Sequence, residues 1–306
     1  MTSDPKSNLA ASIRARLLRV AQDSGEDYQR VLGRYGIERF LYRLGQSPYR
    51  DRFALKGATL FTLWTGQAHR PTKDLDLLGW GSAAIADVET TIRTICGMSD
   101  EDGVVFDTSS VEGTAIKEDD EYNGVRIKFN GQLAGARIPM QIDVGFGDAV
   151  YPEPEFANFP VLLSMAAPRI RAYPRESAIA EKLHAMVELD IRNSRMKDFY
   201  DIWFMATTWE FELATLDKAI AASFQRRGIA VPRTLPFALT GDFTNDTRKR
   251  QQWGAFINRL NPGDKAPSLE EVGALLRVFL APCFAEKPKD SRLRWGTNLR
   301  WEDRSA

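Results

Sequence analysis

The chain has 306 residues, 43% hydrophobic and 27% charged, with 41 Lys+Arg against 41 Asp+Glu and no formal net charge. That composition excludes an intrinsically disordered chain, and the balance excludes a polynucleotide binder whose basicity runs along its whole length. At roughly 100–200 residues per domain, the length predicts two domains, or one with an appendage.

Leu9, Ile13, Leu17, Leu18 and Ala21 recur at helical spacing, and Tyr28, Val31, Leu32, Tyr35 and Phe40 open a second helix that Asp23 or Ser24 would cap. Arg14, Arg16 and Arg19 make the first helix basic, ordinarily a solvated face. RFALKG reads as a strand ended by Gly57, and ATLFTLW as a short helix. DLDLLG, Asp74–Gly79, alternates with period two, so Asp74 and Asp76 share one face and Leu75 and Leu77 the other. A helix follows over 83–95. VVFDTSSVEGTAIKE, YNGVRIKFN and IPMQIDVGFG read as strands, with Asn123-Gly124 and Asn130-Gly131 as turn signals. Residues 99–121 hold nine acids against one Lys, most simply a solvated hairpin or loop. YPEPEFANFP marks a transition. Beyond Glu176 the periodicity is helical over 176–192, 195–208, 214–227, 246–260 and 268–281. Strands first and helices later predict an α+β protein, divided at about 1–165 and 166–306.

Cys96 and Cys283 lie far apart, which argues against a disulfide framework or a zinc site and suits a reduced, cytoplasmic protein. No run approaches the roughly 18 apolar residues of a membrane span, and the polar start MTSDPKSN does not read as a signal peptide.

Neither a Walker loop, an H-E-x-x-H helix nor a G-x-S-x-G turn occurs, and GFGDAV lacks the third glycine of a dinucleotide-binding turn. His184, on a helix, reads as a surface or satisfied core residue. The strongest local signal is RPTKDLDLLG. Two carboxylates two apart on one strand face repel each other, and a hard divalent cation, Mg²⁺ or Mn²⁺, compensates them well. Asp143, between apolar neighbours on another strand, is a third candidate ligand, because a lone charge there is costly. Three such carboxylates suit two-metal phosphoryl chemistry, whereas a D-x-D alone is more often simply solvated. Upstream, LKGATL sets a glycine turn before a helix N-terminus, an anion site to which Lys56 adds charge. Gly57 is followed by Ala58 and Thr59, so a phosphate-contacting hydroxyl would come from Thr59 or Thr72. Glycine turn, helix and D-x-D strand is the order of the nucleotidyltransferase fold.

A further constellation spans ESAIAEKLHAMVELD and RNSRMKDFYDIWFM. Lys182 falls at the edge of an apolar stripe. Asp198 and Asp201 sit on a helix apolar nearly all round and need a partner such as Lys182, Lys197 or Arg195. That set reads equally as a structural ion pair or as a Lys/Asp pair handling a phosphate or an acceptor.

Taken in order, RFALKGATLF, RPTKDLDLLG, QIDVGFGDAVYP, YPRESAIAEKLHAM and RMKDFYDI resemble the AbiEii/AbiGii family of toxin nucleotidyltransferases. That family lies in the polymerase-β-like superfamily and includes the mycobacterial MenT toxins. The resemblance runs from about Leu9 to Asp201. It implies a mixed sheet with flanking helices and a helical C-terminal region that completes the active site and binds acceptor. It places the metal pair at Asp74 and Asp76, the hydroxyl residue before it at Thr72, the helical lysine at Lys182 and the later aspartate at Asp198, or else Asp201. Asp143 matches the superfamily's third strand carboxylate. Implied with these are an NTP and Mg²⁺ as reactants, the 3′ end of tRNA as acceptor, and an antitoxin that is also a repressor. Lys56, Gly57, Thr59, Thr72 and Lys182 would meet the nucleotide.

An RNA acceptor needs positive surface beside an acidic site. Residues 223–306 hold 15 Lys+Arg against 9 Asp+Glu, including Arg248, Lys249 and Arg250, with Trp295 and Trp301 in the tail. The alternatives are transfer to a small molecule or protein, and a silent module that binds nucleotide or a partner.

Overall fold

The computed structural model describes residues 5–67, 69–70, 72, 74–118, 122–260, 266–285 and 292–303. Two compact units divide the chain: Met1–Asp148 with Pro154–Tyr173, and Ala149–Glu153 with Pro174–Ala306.

The first unit is built on a seven-stranded mixed sheet in the order β3-β4-β5-β2-β1-β7-β6. Its strands are β1 Phe53–Lys56, β2 Asp74–Gly79, β3 Val104–Glu118, β4 Tyr122–Leu133, β5 Ala136–Phe146, β6 Glu155–Asn158 and β7 Arg169–Ala172. β2 runs parallel to β5 and β1 parallel to β7, while β1 and β2 are antiparallel. The expected period-two pattern of β2 holds over Asp74–Leu77, beyond which Leu78 and Gly79 are both buried. Leu75 and Leu77 are buried, as are Ile142 and Val144 on β5 and Ile170 on β7, and helix α2 (Tyr28–Gln46) packs on β5 and β7. Each such side chain contributes about 1.5–3 kcal/mol on leaving water. The unit's other helices are α1 Pro5–Ser24, α3 Thr59–Thr65 and α4 Ile85–Cys96, the last packed on β3.

Several expectations need correction. Asp27, not Asp23 or Ser24, caps α2, its side chain accepting from the Arg30 amide. Both Asn-Gly pairs lie inside β4, where neighbouring strands supply ladder bonds on each side. The β4–β5 turn is Ala134-Gly135, whose φ angles of 46° and 78° fit a tight hairpin. The acidic stretch is mostly β3 (its residues 119–121 lie outside the described residues), and Asp102 is buried against Arg43 on α2.

A second buried acid beside this pair, Glu38, has its pKa pushed up to about 7. Burial is the main cause, and neither the Leu162 amide at 2.8 Å nor the Arg39 guanidinium at 3.6 Å offsets it. The folded protein therefore binds a proton that the unfolded chain has released between about pH 4.5 and 7. Stability from this group is full below that window and is lost as pH rises through it, by roughly 3 kcal/mol at most. Glu38→Gln is expected to remove that decline, seen as a flatter urea midpoint from pH 4.5 to 8.

The second unit is mainly helical: α5 Arg175–Leu189, α6 Met196–Thr208, α7 Leu213–Arg226, α8 Gly241–Asn245, α9 Thr247–Leu260 and α10 Leu269–Leu280. A small sheet that periodicity did not reveal joins β8 Phe211–Glu212, β9 Leu293–Trp295 and β10 Trp301–Asp303. Of the tail tryptophans, Trp295 is a core residue and Trp301 is half-buried. Trp295 is fully buried with its indole N–H on the Ala206 carbonyl at 2.7 Å, and Trp301 stacks on Phe279.

No helix among the described residues is long and apolar enough to cross a membrane. Cys96 and Cys283 are both buried and form no disulfide with each other.

Candidate active site

Asp74 and Asp76 occupy one face of β2, half-buried, as alternation requires. The register sets Lys56 beside Asp76 on one side and Asp143 beside it on the other. Carboxylate and turn meet here: a Cβ at Gly57 would lie 2.0 Å from Asp76 Oδ2, and Gly57 has φ of 72°. Only glycine both adopts that backbone without strain and leaves room for the carboxylate.

Lys56 Nζ donates to Asp148 Oδ2 at 2.7 Å, and the Tyr173 hydroxyl donates to the same oxygen at 3.0 Å. Asp148 comes from the GFGD segment, which sequence reading had set aside with its failed glycine pattern. Thr59 opens α3 and is buried, its hydroxyl without a hydrogen-bond partner among the described residues. The Thr72 hydroxyl donates to the Asp74 carbonyl at 3.2 Å, tying the residue before the pair to the strand.

Asp143 does not stand open beside the pair. Arg126 on β4 grips it with two bonds, Nε to Oδ1 at 2.9 Å and Nη2 to Oδ2 at 2.7 Å, and Gln141 adds a third at 3.3 Å. That hydrogen bond, with the charges of Asp143, Asp74 and Asp76, holds the Arg126 guanidinium above its already high pKa. Arg126 escaped sequence reading. A lone charge between Val125 and Ile127 marked it as facing away from the core, but only the β4–β5 register identifies what it meets.

Among the described residues, no group of three or more His, Cys, Asp and Glu side chains is placed to hold a metal ion. The chemistry of Asp74 and Asp76 nevertheless fits a hard divalent cation. Mg²⁺ usually takes one or two protein carboxylates and completes its shell with substrate phosphates and water. Asp143 joins that set only by releasing Arg126.

The second unit holds the lysine network. Lys182 on α5 donates to Asp198 Oδ1 at 3.0 Å and to Asp201 Oδ2 at 2.7 Å, and Arg195 donates to Asp198 Oδ2 at 2.7 Å. Both aspartates are at most 1% exposed. Two buried carboxylates against a half-buried Lys182 and an Arg195 that reaches solvent are mutually required, since removing any one leaves an uncompensated charge. Of the two aspartates left open by the sequence, both therefore touch Lys182.

His184 is a core residue. Burial, and secondarily Arg227, lower its pKa to about 4. Arg227 approaches Nδ1 at 3.2 Å, which requires that nitrogen to accept. An imidazole so held is neutral at pH 7. Of the Arg248, Lys249 and Arg250 triplet, Lys249 is buried with its ammonium on the Asn193 carbonyl at 2.8 Å, so that cluster presents less charge than its sequence suggests.

Two solved Helicobacter pylori structures resemble the chain. JHP933 shares 14% identity at a TM-score of 0.45, covering 80% of this chain and 88% of that one. An H. pylori protein described provisionally as a nucleotidyltransferase shares 15% at 0.47, covering 84% and 96%. No curated protein matches. The model of the AbiEii nucleotidyl transferase toxins of type IV toxin–antitoxin systems matches residues 39–275, a span that holds the glycine turn, the β2 carboxylates and the lysine network. The chain belongs to the AbiEii nucleotidyl transferase toxin family.

Proposed function

We propose that this toxin-family nucleotidyltransferase moves a nucleoside monophosphate from an NTP to an RNA acceptor, the 3′ end of tRNA, in the cytoplasm, and so blocks translation. A repressor antitoxin is its proposed partner. The observation that carries the reading is the pairing of Asp74 and Asp76 on one strand face with a glycine turn that only Gly57 can make against Asp76.

Held by Asp74 and Asp76, Mg²⁺ or Mn²⁺ would offset triphosphate charge and favour ionisation of the attacking hydroxyl. The chain's own residues position the reactants. Lys56 offers positive charge beside Asp76, while the Gly57 turn, Thr59 and Thr72 supply small polar contacts to phosphate oxygens. Lys182, fixed by Asp198 and Asp201, is assigned to the triphosphate and the acceptor. The acceptor oxygen bonds to the α-phosphorus as the bond to the bridging oxygen breaks, and pyrophosphate leaves. Orientation and charge neutralisation provide most of the acceleration in such transfers.

The test is incubation with Mg²⁺, each labelled NTP and total tRNA, beside Asp74→Ala and Lys182→Ala. Label on RNA that each substitution lowers at least about 100-fold is the expected result. Label on protein or small molecules instead would reassign the acceptor, and nucleotide binding with no product would reassign the chain as a binding module.

A further inference from the structure

A basic and aromatic patch lies in the first unit, away from the carboxylates. Phe156 on β6 is 38% exposed, leaving part of a large aromatic ring open to solvent. Two guanidinium groups flank it, Arg169 at 5.4 Å and Arg50 at 5.8 Å from the ring centroid. Together with Gly45 and Gln46 they line a cleft of about 260 Å³. A Cβ at Gly45 would lie 2.6 Å from the Arg169 carbonyl, so α2 reaches this rim only with a bare backbone. Arg169 has no carboxylate partner among the described residues. Among the described residues the carboxylate that Arg50 meets is its neighbour Asp51, at 3.5 Å with both side chains more than half exposed, a weak pair. Beside the cleft, Arg171 lies over the Trp80 ring at 4.5 Å.

Strand register relates this patch to the candidate active site. Phe156 pairs with Arg171, Arg171 with Ala54, and Ala54 with Leu78, while Lys56 pairs with Asp76. Directly paired residues, and residues two apart on a strand, share a face. Phe156, Arg169 and Arg171 therefore fall on the sheet face that carries Asp74 and Asp76, several residues further along the strands.

We infer that this cleft binds single-stranded RNA, one base stacking on Phe156 and the adjoining phosphates meeting Arg50 and Arg169. Exposed rings flanked by cations are how sequence-tolerant single-strand binders work, because every base has a π-face and every linkage a charge. A cleft below the roughly 300–1,000 Å³ of ordinary ligand pockets suits one planar base. Duplex RNA, its bases already stacked, does not use the ring. The inference rests on RNA being the acceptor and moves the docking surface from the C-terminal helices to the rim of the catalytic sheet.

Fluorescence anisotropy of a labelled single-stranded RNA oligonucleotide, measured without NTP, tests it. Phe156→Ala is expected to weaken binding about tenfold and Phe156→Tyr to restore it. Arg50→Ala with Arg169→Ala should also reduce the log–log salt slope by about 1.4, at ~0.7 per phosphate contact. Arg248→Ala with Arg250→Ala should bind as the parent does, and duplex affinity should not respond to Phe156→Ala. Unchanged single-strand binding in the Phe156 and arginine variants overturns the inference. So does equal loss for the duplex, or loss confined to a polyglutamate peptide. If the parent still labels RNA in that case, the transfer reading stands without this surface; if it labels none, both fall.

Discussion

Asp76→Ala is expected to lower nucleotidyl transfer by on the order of 10³-fold without unfolding the protein, and Gly57→Ala by on the order of 10²-fold. Asp76 is half-buried, and its removal opens little core. What it removes is half of the only pair of carboxylates alternating onto one face of β2. The glycine acts on the same oxygen from the other side. An alanine Cβ cannot occupy a point 2.0 Å from Asp76 Oδ2, so either the carboxylate swings away or the turn leaves φ of 72°. Either movement would displace the proposed metal-holding carboxylate by about an ångström, which is enough for a loss of that size. A steady-state assay with thermal melting alongside checks both. An active Gly57→Ala protein would mean that Asp76 has freedom to move that the turn does not control.

The same pair shows what local pattern can and cannot reveal. β2 was legible because Asp74 to Leu77 alternate within four residues, and the longer helices because an apolar face repeats over several turns. β8 to β10, of two or three residues each, are too short to show a period. They form because Trp295 fills the space beside Phe279 and Phe211, a contact made across the whole second unit. Among the candidate functional residues, Asp74, Asp76, Lys182 and the two later aspartates stood out by residue type and spacing. Arg126 and Asp148 did not, because their roles depend on partners that lie elsewhere in the sequence. Arg126 answers to Asp143 through β-register, and Asp148 answers to Lys56 across 92 positions. The acidic stretch misled for the same reason. Nine acids suggested solvent, while the one that mattered most for packing was already neutralised from α2.

That buried pair carries the largest expected effect on stability. Asp102→Ala should cost about 3–5 kcal/mol, the usual loss when one member of a buried ion pair is removed. Asp102 and Arg43 are 1% and 2% exposed. Their two bonds are 2.6 and 3.0 Å long, and Asp102 Oδ1 also accepts from the Val104 amide at 2.9 Å. Arg43 spends its remaining donors on the carbonyls of Met98, Arg39 and Val104. It thus ties α2 to the chain between α4 and β3. Buried ion pairs often tolerate replacement of both partners by apolar groups, which relieves the desolvation cost. Here the double change Arg43→Met with Asp102→Ala should recover little, because the Met98 and Val104 carbonyls lose their donor as well. Each orphaned group costs about 1–3 kcal/mol. Urea unfolding of the two single variants and the double variant measures this directly. A double variant close to parental stability would show that the carbonyls find other donors and that the guanidinium mattered only as a charge.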